Sequence, residues 1–139
     1  MKTIETSVFT SEAHRERFEE LMKEQMVLRS KIFKSQMAFL YVVSAIQYPF
    51  AKDMYHQRGM YPELDKMIAL RAEGVISDKD ALLYALAVNV FNGADIFREM
   101  RLDGNPTPYT FFCKLGSDAR IIGEASTIFA EGYDLNQIA

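Results

Sequence analysis

Two segments of this chain, about residues 31–47 and 78–92, carry apolar side chains on nearly every side of a helical wheel, which limits the folds open to it. In the first, Ile32, Phe33, Met37, Ala38, Phe39, Leu40, Tyr41, Val42, Val43, Ala45 and Ile46 leave no polar stripe. In the second, Leu82, Leu83, Leu86, Val90 and Phe91 do nearly the same, with Tyr84 and Asn89 as the main interruptions. A helix that is apolar all round has to be enclosed on all sides. The β-branched Val42 and Val43 admit a strand, but the length of the run favours a helix. Ser44 interrupts the longest apolar run, which is far short of a membrane span.

The remaining periodicity is helical and well punctuated. Thr10 and Ser11 are N-cap residues ahead of an amphipathic helix over about 11–29. Phe18, Leu21, Met22 and Leu28 form its apolar face, and Glu16, Glu19, Glu20, Lys23 and Glu24 fill the other. Pro49 breaks the second helix and opens a short turn of helix that closes at Gly59. Tyr61-Pro62 reads as the start of a helix ending at Gly74, and Ser77 caps the helix that stops at Asn92-Gly93. Short helices are expected over Ala94–Arg101 and from Pro108 to Leu115, separated by the Asp103-Gly104-Asn105-Pro106 turn. Ser117 then caps a last helix closed by Gly132. The expectation is an all-α, compact bundle of six or seven helices in a single domain over 1–139, with residues 1–10 as a disordered or extended N-terminal arm. At 139 residues such a bundle holds a sizeable core without disulfide staples.

Charge and cysteine narrow the function classes. The net charge of −3 is the opposite of the footprint that grips a phosphate backbone, so no direct nucleic-acid contact is expected. Residues 1–35 hold seven Lys/Arg against six Asp/Glu, whereas residues 81–139 hold four against seven. The acidic C-terminal half is either a solvated mixed-charge face or a surface that competes with nucleic acid for a basic partner. The single cysteine, Cys113, forms no intrachain disulfide and is expected as a small buried hydrophobe. No secretory h-region follows Met1, so a cytoplasmic location in a bacterial host cell is expected.

A search for chemistry finds little. His14 and His56 lack a second His or Cys at ligand spacing, and each is expected to pack its ring and bond a carbonyl or water. No nucleophile elbow or glycine-rich phosphate loop is present, and Glu19-Glu20 lie on an exposed helix face. The aromatics Tyr41, Tyr48, Phe50, Tyr55 and Tyr61 near Lys52 and Arg58 have the composition of a stacking platform, but Asp53, Glu63 and Asp65 neutralise the region. No catalytic residue, cofactor or metal is assigned. Eight methionines and seventeen Phe/Tyr instead signal contact area. The two all-apolar helices ask for more cover than short amphipathic neighbours supply. Either one of them is exposed in the monomer and buried by a second copy or another protein, or both are internal.

The runs Ser11-Glu12-Ala13-His14-Arg15-Glu16-Arg17-Phe18-Glu19-Glu20-Leu21, Ala38-Phe39-Leu40-Tyr41-Val42-Val43-Ser44 and Leu86-Ala87-Val88-Asn89-Val90-Phe91-Asn92-Gly93 together resemble a small all-helical family carried on conjugative elements and prophages of Firmicutes. The resemblance covers about two-thirds of the chain and departs after Gly93, and it carries over no functional residue. It implies a mobile-element accessory protein, a class whose small acidic members inhibit host defence nucleases as anti-CRISPR proteins do. The expected function is a non-enzymatic inhibitor that binds a nuclease complex and occludes its nucleic-acid channel. The expected contacts are exposed acids at Asp95, Glu99, Asp103, Asp118, Glu124 and Asp134. The alternative is a homodimeric structural or regulatory module with no defence target.

Overall fold

The computed structural model describes residues 3–138, and the all-helical expectation holds in outline. Seven α-helices are present among the described residues: α1 (Glu12–Leu28), α2 (Lys34–Val43), α3 (Ala51–Met54), α4 (Leu64–Ala72), α5 (Asp78–Asn92), α6 (Pro108–Leu115) and α7 (Arg120–Glu131). One small hairpin joins them, β1 (Tyr55–His56) paired antiparallel with β2 (Tyr61–Pro62). Helix α2 is the axis of the molecule, packed chiefly between α5 and α7 with α1 alongside.

Both apolar helices are internal over their central turns. Met37 to Val43 are at most 6% exposed and Ala81 to Val88 at most 4%. The expectation that one of them needs a partner to cover it is therefore corrected. The cover comes from places other than helices: Phe9, Met60, Ile76, Ile96, Phe97, Met100, Tyr133 and Ile138 lie on turns and connections and are all buried. A hydrophobic side chain stabilises by leaving water, whatever the backbone that carries it. Helix-by-helix accounting thus underestimates the lid.

The caps explain most boundaries. Ser11 Oγ accepts from the His14 amide at 3.0 Å and Ser77 Oγ from the Asp80 amide at 3.1 Å, each satisfying a first-turn donor. Gly93 ends α5 in the left-handed region, at φ 79°. Helix α2 is shorter than the apolar run because Phe33 is extended and its amide is held by Gln36 Oε1 at 2.8 Å. At the other end Ser44 Oγ donates to the Tyr41 carbonyl at 2.7 Å and the chain leaves the helix there.

Four further expectations are revised. Tyr61-Pro62 forms strand β2, and α4 starts at Leu64, two residues later. A Cβ at Gly59 would stand 2.3 Å from the Tyr61 ring, so the glycine leaves that ring its place over the hairpin turn. Residues Ala94–Arg101 form turns rather than a helix, because Asn92 and Asp95 turn their carboxamide and carboxylate oxygens onto the amides of Ala94 and Phe97, both at 3.0 Å. Ser117 lies in a 3-10 turn (Gly116–Asp118), and α7 begins at Arg120. Residues 3–10 are tied down rather than a free arm: Phe9 is 5% exposed, the Tyr41 hydroxyl donates to the Val8 carbonyl, and the Ile4 amide donates to Gln137 Oε1 at 2.8 Å. Met1 and Lys2 lie outside the described residues.

Candidate functional site

The main cavity is a cleft of about 660 Å³ running along α1 and facing the 44–49 connection, with Lys79, Asp118 and Ile121 at its far end. A smaller hollow of about 260 Å³, lined by Glu24, Phe50, Lys52 and Gln57, shares Arg17, Glu20 and Pro49 with it. The two make one groove beside α1.

The floor of this groove is polar and fully used by the fold. His14 is 2% exposed; the Thr10 amide donates to its Nδ1 at 3.1 Å, so Nε2 carries the hydrogen and donates to the Tyr41 carbonyl at 2.8 Å. Burial holds its pKa below the ordinary value, with the Tyr41 hydrogen bond opposing. His14 thus packs its ring and bonds a carbonyl, and neither nitrogen is left for acid–base work. Arg17 donates from Nη1 to the Ile46 carbonyl and from Nη2 to the Tyr48 carbonyl at 2.8 Å. Asp80, 6% exposed, accepts from the amides of Gln47 and Tyr48, both at 3.0 Å. Arg17 and Asp80 together satisfy main-chain groups of residues 46–48, the connection that follows α2.

The wall of the groove is different. Glu16, Glu20 and Glu24 recur every four residues along α1, all exposed and none in an ion pair or side-chain hydrogen bond among the described residues. Like charges at this spacing repel. Loss of solvent on the groove side and the charge of Glu20 raise the carboxyl pKa of Glu24. Neighbouring acids on α1 are neutralised by contrast: Arg15 holds both Glu12 and Glu19. Below the wall lies the Tyr55 hydroxyl, fully buried beside the Gln25 amide yet without a well-formed hydrogen bond. Burial, then the charge of Glu24, raise its pKa. Phe50, 53% exposed, forms the opposite lip of the groove with Lys52.

The six acids expected as contacts are not brought together as one set. Asp95, Glu99 and Asp103 are exposed on the connection between α5 and α6. Asp118 is paired with Lys79 at 2.5 Å, and Asp134 turns its carboxylate onto the Asn136 amide at 3.1 Å. Glu124 is only 9% exposed and accepts the Tyr133 hydroxyl at 2.7 Å, which corrects its expected place on the surface. Asp103 and Asp118 also share a groove of about 500 Å³ with Arg71, Lys79, Arg101 and Lys114, so folding mixes cations from α4 and α5 into the acidic half. Counting charge by chain halves cannot register that mixing. The stripe on α1 was visible, as three acids at four-residue spacing with no base between Glu16, Glu20 and Glu24 at that spacing.

Other expected positions are quickly placed. Cys113 is exposed, not buried: on α6 the residues Phe111 and Leu115 face inward, while Tyr109, Phe112 and Cys113 face out. His56 stacks on Tyr61 with ring centroids 4.8 Å apart and accepts the Gly59 amide at Nδ1 at 2.8 Å, closing the hairpin turn. Tyr41 and Tyr55 are fully buried, which removes them from any stacking platform. Among the described residues no group of three or more His, Cys, Asp or Glu stands ready to hold a metal ion. No helix among them is long and apolar enough to cross a membrane. Comparison with family models, curated proteins and solved structures finds no match to this chain.

Proposed function

We propose that the protein is a non-enzymatic binding module that docks a basic surface of another protein against the groove beside α1. The observation that carries this is the line of Glu16, Glu20 and Glu24, three exposed carboxylates that form no ion pair among the described residues and stand beside an open cleft. Several other charges near the groove have a use: Arg17 and Asp80 hold backbone, and Lys79 holds Asp118. A cation from a partner relieves the repulsion along the stripe and gains charge-assisted hydrogen bonds. Phe50 at the lip adds an aromatic anchor of the kind that dominates interface energies.

The channel by which a nuclease holds its guide or target strand is lined with cations, and a stripe of carboxylates presents charges of the sign and order of spacing of a phosphate backbone. The proposed target is accordingly a host defence nuclease, in the setting of a mobile element or phage and in the manner of anti-CRISPR proteins. The docking surface is α1 rather than the acids of the C-terminal half.

The test is capture from a host carrying an active nuclease, with the wild type and with Glu16→Lys, Glu20→Lys and Glu24→Lys combined. The wild type is expected to retain the nuclease and suppress its cleavage of target DNA, and the charge-reversed variant to do neither. Equal retention and suppression by both proteins would refute the assignment.

A further inference from the structure

Phe129, on the outer face of α7, is 52% exposed, and its ring divides two apolar hollows. One, of about 410 Å³, lies at the C-terminal end of α5 and is walled by Val90 and Phe91. The other, of about 480 Å³, lies at the start of α2 and is walled by Ile32, Phe33 and Met37. Phe33 is itself 55% exposed, so this is an aromatic face that the folded monomer does not cover.

We propose that this face receives a second copy of the same chain about a twofold axis, with Phe129 of each copy entering a hollow of the other. Two observations favour a second copy as the occupant. An isologous contact needs projection and recess on the same surface, and here a projecting ring stands directly beside its recesses. The rim of the α2-side hollow carries opposite charges: Lys31, whose Nζ lies 5.0 Å from the centroid of the Phe33 ring, and Glu131, neither of them in an ion pair among the described residues. A twofold axis passing between them sets Lys31 of one copy against Glu131 of the other, a pairing of opposite charges. The face is built from α7, the C-terminal end of α5 and the start of α2, and it contains none of the α1 stripe residues.

Sedimentation velocity over a range of concentrations tests this with the wild type, Phe129→Asp, Lys31→Glu, Glu131→Lys and the Lys31→Glu/Glu131→Lys double variant. The wild type is expected to form a reversible dimer. Phe129→Asp should raise its dissociation constant by about tenfold or more, as loss of a central aromatic anchor does. Each charge reversal should weaken the dimer, and the double variant should recover it. Phe129 is half exposed, so a circular dichroism melt close to that of the wild type verifies that the variant still folds. A wild type that stays monomeric throughout would overturn the proposal. So would a dimer indifferent to Phe129→Asp, or a double variant weaker than either single one.

Discussion

The floor and the wall of the α1 groove are both polar, and they differ in what the fold has done with them. On the floor, His14, Arg17 and Ser44 are each tied to main-chain groups, and Asp80, buried behind it, holds the amides of the connection that follows α2. On the wall, Glu16, Glu20 and Glu24 hold nothing and repel one another. Polar groups that a fold needs are satisfied inside it, because a buried orphan is costly. Charges left in line without partners are available to something else. The contrast separates residues that keep the groove in shape from residues that present its chemistry.

The largest effect expected from breaking this contrast is at Asp80. Replacing it with Ala leaves two amides without their acceptor, and urea unfolding should show a loss of about 3 kcal/mol, each bond to a charged group being worth about 1.5–3 kcal/mol. Glu20→Ala, one shell further out, should change stability by less than about 0.5 kcal/mol. Equal losses at the two positions would show that the wall also serves the fold.

A second measurement follows from His14. Its pKa is lowered in the fold from an ordinary value of 6.5, so the unfolded chain takes up the proton first as pH falls. The stability contributed by neutral His14 is therefore complete above about that ordinary value. It declines as pH drops toward the lowered folded value and is gone below it. Thermal melts of the wild type and His14→Gln between neutral and mildly acidic pH should show a decline in the wild type that the variant lacks.

Two tyrosines sharpen the comparison at smaller amplitude. Tyr84 donates its hydroxyl to the Met54 carbonyl at 2.6 Å, whereas the Tyr55 hydroxyl is buried without a well-formed bond. Tyr84→Phe should destabilise by about 1 kcal/mol. Tyr55→Phe should be neutral or slightly stabilising, since it removes a desolvated group that makes no well-formed hydrogen bond. A loss at Tyr55 as large as that at Tyr84 would mean that its hydroxyl is held after all.

Much of this architecture was legible in the sequence, and the reasons are local. Ser11, Ser77, Gly93 and Pro108 act at helix ends through hydrogen bonds within a turn or through their own backbone preferences, so the boundaries of α1, α5 and α6 could be read directly. What failed depended on distant groups. The early end of α2 rests on Ser44 together with Asp80 and Arg17, far away in sequence, and the apolar cover of α2 and α5 comes from turns such as Phe97–Met100. Cys113 and Glu124 exchanged their expected places because α6 and α7 each bury one face, and spacing alone does not say which. For the groove, the stripe of acids could be seen on the chain but not its lack of partners. Only the fold shows that Arg15 is spent on Glu12 and Glu19 and that Glu16, Glu20 and Glu24 form no ion pair among the described residues.

The central claim is that the wall of the groove, rather than net negative charge, receives a basic partner. Isothermal titration with an arginine homopolymer peptide at low salt decides it, using two variants with the same change in charge. One carries Glu16→Gln, Glu20→Gln and Glu24→Gln; the other carries Asp95→Asn, Glu99→Gln and Asp103→Asn. The expected result is that the first variant loses about tenfold or more in affinity, equivalent to about 1.4 kcal/mol, while the second binds as the wild type does. Equal weakening of both variants, or no binding by the wild type, would contradict the account.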